Sequence, residues 1–201
     1  MLASISPVGE ASRKQRWTVT VTAYTVGSTV AGGSLGAVLG GLGGLGGYDP
    51  SGPVPLAVLA VAALLAAVAD RAGPPRPLGG WRRQVDERWL TEYRGWVYGA
   101  GYGLQLGAAV LTIVPTTAIY VVLLAAVLSG NLGAGAVIGA SFGLVRALPL
   151  VLTAWVRSPQ ALRELHRRVD AATASVAQAT VIALGVIGGL AAVAAMVTAT
   201  A

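Results

Sequence analysis

The stretch GASFGLVRALPLVLTAWVR, residues 139–157, is apolar at nearly every position but carries one interior cation, Arg146. A helix crosses a hydrocarbon core of about 30 Å with roughly 20 mostly apolar residues, so this stretch predicts a membrane-spanning helix. Arg146 would lie about 16 Å along that helix from Arg157, close to the middle of the core. The stretch therefore indicates the fold class and raises the first question about function.

The composition of the whole chain agrees with a membrane protein. Of its 201 residues, 55% are hydrophobic and only 11% are charged, whereas about 25% are charged in a soluble domain. The sequence predicts a single integral membrane domain over residues 1–201, embedded in the lipid bilayer. The chain has no cysteine and one histidine, which excludes disulfides and thiol redox chemistry and disfavours a metal site. We expect neither a metal nor a cofactor.

Apolar segments and basic connectors together predict the topology. The apolar segments are residues 17–46, 54–69, 96–128, 132–156 and 173–200. Lys and Arg cluster before the first segment, between the second and third, and between the fourth and fifth, but are absent from connectors 48–53 and 129–131. Basic residues stay on the cytoplasmic side, so we predict five spans with a cytoplasmic N-terminus.

The net charge of +6 then reflects topology, and we expect no nucleic acid partner. Usage rich in Ala, Gly, Arg and Val suggests the inner membrane of a bacterium.

Segment 96–128 is too long for one upright span, because it would extend about 50 Å as a straight helix. The segment must tilt, bend or break. Pro115 is the expected place for a break, since proline removes one backbone N–H and releases a carbonyl. A hairpin at Pro115 would give six spans, which stays the alternative. The predicted fold class is therefore all-α: a polytopic membrane helical bundle of five or six transmembrane helices, with Gly-rich and Pro-broken members.

Two cytoplasmic segments, 74–95 and 158–171, are predicted to be amphipathic and to lie on the membrane surface. The first places a stripe of aromatic residues on one helical face, from Trp81 to Trp96. In the second, Ser158 suits an N-cap and Pro159 suits the first helical position.

Glycines recur every four residues along three of the predicted spans. The repeats are Gly32, Gly36, Gly40 and Gly44; Gly95, Gly99, Gly103 and Gly107; and Gly135, Gly139 and Gly143, with a final pair at Gly185 and Gly189. Small residues at this spacing let helix backbones approach closely in lipid. They predict tight helix contacts, either within the chain or with a membrane-protein partner or a second copy.

Arg146 is the residue that most suggests a site. An ionised guanidinium at the bilayer centre costs at least about 2.5 kcal/mol. No acidic residue lies within the predicted spans to offset it, since Asp70 stands only at the inner end of its span. Oxygen atoms must therefore surround it. Helix breaks at Pro115 and Pro149 would free carbonyls, and the candidate lining side chains are Gln105, Thr112, Thr116, Thr117, Tyr120 and Ser141.

Two interpretations of Arg146 stay open. The residue either joins two broken helices or reaches the interface as a structural group, or it binds an anionic or polar ligand in a wet cavity. Proton or metal-cation pumping is disfavoured, because such pumps need carboxylates at depth. No nucleophile, acid and base occur together, so we identify no catalytic residue and do not expect an enzyme.

The stretch GLQLGAAVLTIVPTTAIYVVLLAAVLSGNLGAGAVIGASFGLVRALPLVLTA, residues 103–154, resembles the second half of the CcdA/DsbD transmembrane family, within the LysE-like transporter group. Pro115 matches the family's Pro-Cys break, with Thr116 at the cysteine position, and Gly143 with Pro149 approximates the end of the following helix. The family moves reducing equivalents through a cysteine pair, which this chain lacks. The resemblance implies a scaffold of Pro-broken helices around a small polar cavity, lined by Gln105, Thr116, Thr117 and Arg146.

Two functions follow as expectations. The first is a transporter-like protein that handles a small anionic or polar solute around Arg146. The alternative is a structural or assembly subunit whose Gly-rich faces pack against a larger membrane complex.

Overall fold

A computed structural model describes residues 5–73, 88–108 and 116–200, apart from the side chain of Thr91. These residues form helices and connectors, with no strand among them. The helices are α1 (Pro7–Ser12), α2 (Trp17–Gly44), α3 (Pro53–Ala72), α4 (Trp89–Glu92), α5 (Gly95–Gly107), α6 (Ala118–Leu128), α7 (Leu132–Val151) and α8 (Pro159–Thr200); a 3-10 turn, Leu152–Trp155, extends α7. The all-α prediction is confirmed.

Four of these helices are long and apolar enough to cross a membrane: α2, α3, α7 with its 3-10 turn, and α8. Helix α6 is apolar but shorter. The prediction of a membrane protein with several spanning helices is confirmed at this level. The count of five or six spans stays a prediction.

The apolar segment 96–128 is not one continuous helix. Helix α5 ends at Gly107 and α6 begins at Ala118, which agrees with a break, one of the three ways expected to accommodate the excess length. Pro115, the predicted position of the break, lies outside the described residues.

Residues 158–171 and the apolar segment 173–200 form one continuous helix, α8. Its start is as predicted, because the Ser158 hydroxyl accepts a hydrogen bond from the backbone N–H of Ala161 at 3.2 Å and Pro159 is the first helical residue. A helix of 42 residues extends about 63 Å, twice the hydrocarbon thickness. Roughly half of α8 must therefore lie outside the hydrocarbon, and the charged residues of the helix, from Arg163 to Asp170, are in its first half.

Pro149 lies within α7, although a break was predicted there. The α-helix continues to Val151 and then tightens into the 3-10 turn. The fixed φ of proline is itself compatible with a helix, so the missing N–H changes the hydrogen bonding without ending the helix at that residue.

The chain divides into two compact units, and α2, α7 and α8 contribute residues to both. Unit 1 comprises Met1–Gly32, Arg82–Thr112 and Ala140–Thr173, and unit 2 comprises Gly33–Trp81, Ile113–Gly139 and Ala174–Ala201.

The core of unit 1 is aromatic and includes the buried residues Tyr24, Tyr98 and Tyr102, with Ala147 and Leu150 from α7. Helix α5 packs closely on α2 in this unit. A methyl group added at Gly99 would lie 2.5 Å from the carbonyl oxygen of Thr20, and one at Gly107 would overlap that of Ser28. Only glycine permits this approach of the two backbones.

Unit 2 is built from α3, α6 and the later part of α8, together with parts of α2 and α7. Its apolar core contains Ala63, Ala66, Ala67, Val121 and Leu184. On α2 and α7, methyl groups at Gly36 and Gly135 would each overlap the other glycine's carbonyl oxygen. In the connector before α3, the Tyr48 hydroxyl donates a hydrogen bond to the carbonyl oxygen of Val127 in α6 at 2.7 Å.

The first predicted interfacial segment, 74–95, is only partly described, since residues 74–87 lie outside the described ranges. Its end forms α4, in unit 1, where the Trp89 ring stacks on Tyr102 with 5.8 Å between centroids. Trp96 is half exposed. The interfacial placement of both segments stays a prediction.

Candidate functional site

Arg146 is held on α7 among residues that are almost fully buried. Ala147 is 1% exposed and Leu150 4% exposed, and both pack in the aromatic core of unit 1. The Ser28 hydroxyl donates to the carbonyl oxygen of Gly143 at 2.7 Å, which ties α2 to α7 one turn before Arg146. The backbone that carries the guanidinium is therefore well supported.

The Arg146 side chain is itself half-buried and has aromatic neighbours. Its guanidinium carbon lies 5.6 Å from the centroid of the Phe142 ring. Tyr24, which is 3% exposed, belongs to the same aromatic core as Ala147, the next residue along α7. A cation over an aromatic face gains about 0.5–2 kcal/mol, depending on how far the pair is desolvated. The Phe142 ring thus supplies part of the compensation that the sequence led us to expect from oxygen atoms.

The remaining residues predicted to line the site belong to both units. Gln105 is half-buried and Ser141 exposed, both in unit 1 with Arg146. Thr116, Thr117 and Tyr120 belong to unit 2, and Thr112, like Pro115, lies outside the described residues. The grouping of all of them around one cavity stays a prediction.

Thr116 and Thr117 bind Asp70 at the start of α6. The Asp70 carboxylate accepts a hydrogen bond from the Thr116 hydroxyl and others from the Thr117 backbone N–H at 2.9 and 3.2 Å. The Thr117 hydroxyl donates to the carbonyl oxygen of Ala66 at 3.0 Å. Helix N-termini favour negative charge. Asp70 on α3, which is far from α6 in the sequence, therefore provides the carboxylate that stabilises the start of α6. The sequence placed Asp70 only at the inner end of its predicted span.

Glu10 is the functional candidate that sequence reasoning missed. Its side chain is completely buried and accepts hydrogen bonds from the hydroxyls of Tyr98 at 2.5 Å and Thr20 at 2.7 Å. It also pairs with Arg13 at 2.7 Å. The only sequence signal was local: Ser6 caps α1 and Pro7 is its first residue, which positions Glu10 on a helix.

The Arg13 guanidinium lies between Glu10 and the Tyr98 ring, 5.8 Å from the ring centroid. Burial by itself would lower the pKa of Arg13, but the hydrogen bonds and charges of Glu10 and Tyr98 raise that pKa above its ordinary value. Arg13 therefore stays charged, and the Glu10 cluster (Glu10, Arg13, Thr20 and Tyr98) holds α1 against α2 and α5.

A second feature of unit 1 is an open apolar groove between α2 and α5. It encloses about 640 Å³ and is lined by Val19, Val26, Val30 and Leu104, with Gly27 and Ala100 among its smaller residues. The aliphatic side chains of this groove are exposed, Val26 by 56%. In a bilayer such a surface meets lipid chains or another helix.

No group of three or more His, Asp and Glu side chains able to hold a metal ion occurs among the residues that the structure describes. The Arg146 site and the Glu10 cluster are instead hydrogen-bonding and electrostatic sites.

Comparison with known proteins gives a local similarity. The chain is 42% identical over 71 residues to the methylamine utilization protein MauF of Paracoccus versutus, which covers 35% of this chain and 26% of that protein. It is 41% identical to MauF of Paracoccus denitrificans over 73 residues, or 36% of this chain and 26% of that protein. It is also 41% identical to MauF of Methylorubrum extorquens over 71 residues, or 35% and 25%. The chain thus matches about a quarter of the length of these curated relatives. No protein-family model matches it, and no solved structure does.

Proposed function

We propose that this chain is a transporter-like protein of a bacterial inner membrane that handles a small anionic or polar solute at Arg146. The observation that supports the proposal is a half-buried guanidinium on a membrane-spanning helix, with its backbone fixed by Ser28 and Gly143. Guanidinium presents a planar fork of N–H donors that suits carboxylate and phosphate oxygens. The resemblance to the CcdA/DsbD scaffold agrees with a transport role but implies no electron transfer here.

Uptake into proteoliposomes tests the role of Arg146. Labelled acetate and phosphate serve as anionic probes, and labelled methylammonium serves as the cationic comparison that the relatives' name suggests. We expect Arg146→Ala to lower anion uptake by at least about tenfold, since a hydrogen bond to a charged group contributes about 1.5–3 kcal/mol. Arg146→Lys keeps the charge but loses the fork, so it should retain an intermediate rate.

Arg163→Gln is the matched control, because it removes an exposed cation at the start of α8. It should leave uptake unchanged. Transport of acetate or phosphate at the wild-type rate by a folded Arg146→Ala protein would contradict the proposal.

A second candidate function is a structural or assembly subunit, and the apolar groove between α2 and α5 favours it. Its small residues let another helix approach closely, and its exposed valines would be covered by that contact. The similarity to MauF suggests that such a complex would serve the use of a small amine.

Purification from native membranes in mild detergent tests the assembly function. Ala23→Trp would fill the groove, whereas Val38→Trp changes an exposed position on the same helix outside it. We expect a stoichiometric partner to be lost with Ala23→Trp and kept with Val38→Trp. Equal recovery of a partner with both variants would count against this function.

A further inference from the structure

A second polar site lies in unit 2, between α3 and α8. Its cavity encloses about 320 Å³ and is lined by Asp70 and Arg71 from α3 and by Gln178, Val181 and Ile182 from α8. Ligand pockets commonly enclose 300–1,000 Å³, so this one suits a small ligand or the head of a larger one.

The length of α3 locates this cavity relative to a bilayer. Asp70 lies 17 residues after Pro53, the first residue of α3, which is about 26 Å along the helix. This value is close to one hydrocarbon thickness of about 30 Å. The cavity therefore lies where the hydrocarbon ends and the lipid headgroups begin.

The cavity presents opposite charges at adjacent positions. Asp70 is half-buried and is held by Thr116 and the Thr117 N–H, but a carboxylate has about four lone-pair positions and can accept a further donor. Arg71 is exposed and forms no ion pair with any residue that the structure describes. Gln178 adds an amide that can both donate and accept.

A ligand that satisfies these groups must carry an ammonium for Asp70, an anion for Arg71 and an apolar part for Val181 and Ile182. We propose that the cavity between α3 and α8 binds the headgroup of a phospholipid with a primary amine, such as phosphatidylethanolamine. The ammonium group donates to Asp70, the phosphate accepts from Arg71 and Gln178, and the glycerol and first methylenes lie on Val181 and Ile182. The same aminophosphate chemistry occurs in soluble phosphoethanolamine, but the position at the headgroup level and the apolar side chains favour the lipid.

Lipid retention in nanodiscs tests this assignment. The protein is reconstituted with equal amounts of phosphatidylethanolamine, phosphatidylcholine and phosphatidylglycerol of the same acyl chains, and the lipids that remain bound are counted by native mass spectrometry. Phosphatidylcholine is the informative comparison, because its trimethylated nitrogen has no N–H to donate. We expect phosphatidylethanolamine to be retained about tenfold more than either of the other two lipids, because one hydrogen bond to a charged group changes the affinity by about that factor.

Two variants test the contributions of the Asp70 and Arg71 charges one at a time. Asp70→Asn keeps an oxygen to accept from Thr116 and Thr117, and should reduce the preference for phosphatidylethanolamine over phosphatidylcholine to about one. Arg71→Gln changes a side chain with no ion pair in the described part of the chain, so it should leave folding intact while lowering retention of phosphatidylethanolamine about tenfold. Arg163→Gln removes an exposed cation outside the cavity and should change nothing.

Three results would overturn the proposal. The first is equal retention of phosphatidylethanolamine and phosphatidylcholine by the wild-type protein, and the second is an equal loss of phosphatidylethanolamine retention with Arg71→Gln and Arg163→Gln. The third is displacement of the lipid by an equal concentration of soluble phosphoethanolamine. The last result would assign the cavity to a soluble ligand. Solute uptake is not measured here, so the outcome is independent of the function proposed for Arg146.

Discussion

Replacing Glu10 with alanine is expected to destabilise the protein by about 3 kcal/mol, because removal of one partner from a buried ion pair leaves the others without compensation. The hydroxyls of Tyr98 and Thr20 would lose their acceptor, and Arg13 would lose its counter-ion. Unfolding by SDS titration in mixed micelles, followed by tryptophan fluorescence, measures the change. Trp17 reports on the same region, since its indole N–H donates to the Thr153 hydroxyl at 3.2 Å.

Glu164→Gln is the matched control for Glu10. Glu164 pairs with Arg167 at 2.6 Å and with Arg168 at 2.8 Å, but these arginines are 79% and 77% exposed. Exposed ion pairs contribute little to stability, so this variant should unfold with the wild-type protein. Glu10→Gln keeps an acceptor oxygen and should fall between the two. A Glu10→Ala protein as stable as Glu164→Gln would show that the Glu10 cluster does not hold α1.

Gly36→Ala is expected to cost several kcal/mol, although it adds a single methyl group. That methyl would overlap the carbonyl oxygen of Gly135 and lie 3.0 Å from the Cα of Gly139. Both are backbone atoms, which cannot rotate aside as a flexible side chain would, so α2 and α7 would have to separate. Overpacking costs about 1–3 kcal/mol even where side chains can adjust.

Gly41→Ala, on the same helix, is expected to have the opposite effect on stability. A methyl there meets nothing within 4 Å, and alanine is favoured over glycine inside a helix by up to about 1 kcal/mol. Thermal unfolding in detergent should therefore show a lower midpoint for Gly36→Ala and an unchanged or higher one for Gly41→Ala. If the two variants melt together, close approach at Gly36 does not stabilise the protein.

The Asp70 contacts show why the candidate site could be predicted only in part. The sequence placed Thr116 and Thr117 directly after the predicted break at Pro115, and Asp70 at the inner end of its span. The two threonines lie 46 and 47 positions after Asp70 in the sequence. Whether they contact Asp70 depends on how α3 and α6 are rotated about their axes. Hydropathy does not encode that rotation, because both helices are apolar around most of their circumference.

The amino-acid sequence by itself determined the membrane class, the all-α fold, the excess length of segment 96–128 and the cap at Ser158, since these follow from local composition and backbone chemistry. Only the tertiary structure decided which polar groups meet. Glu10 lies on the short capped helix α1 and precedes Arg13, Lys14 and Arg16. No sequence pattern marked it as a buried residue, yet it is completely buried. The physical reason is that burying a carboxylate requires donors from other elements. Here they come from Thr20 on α2 and Tyr98 on α5, whose approach no local pattern specifies.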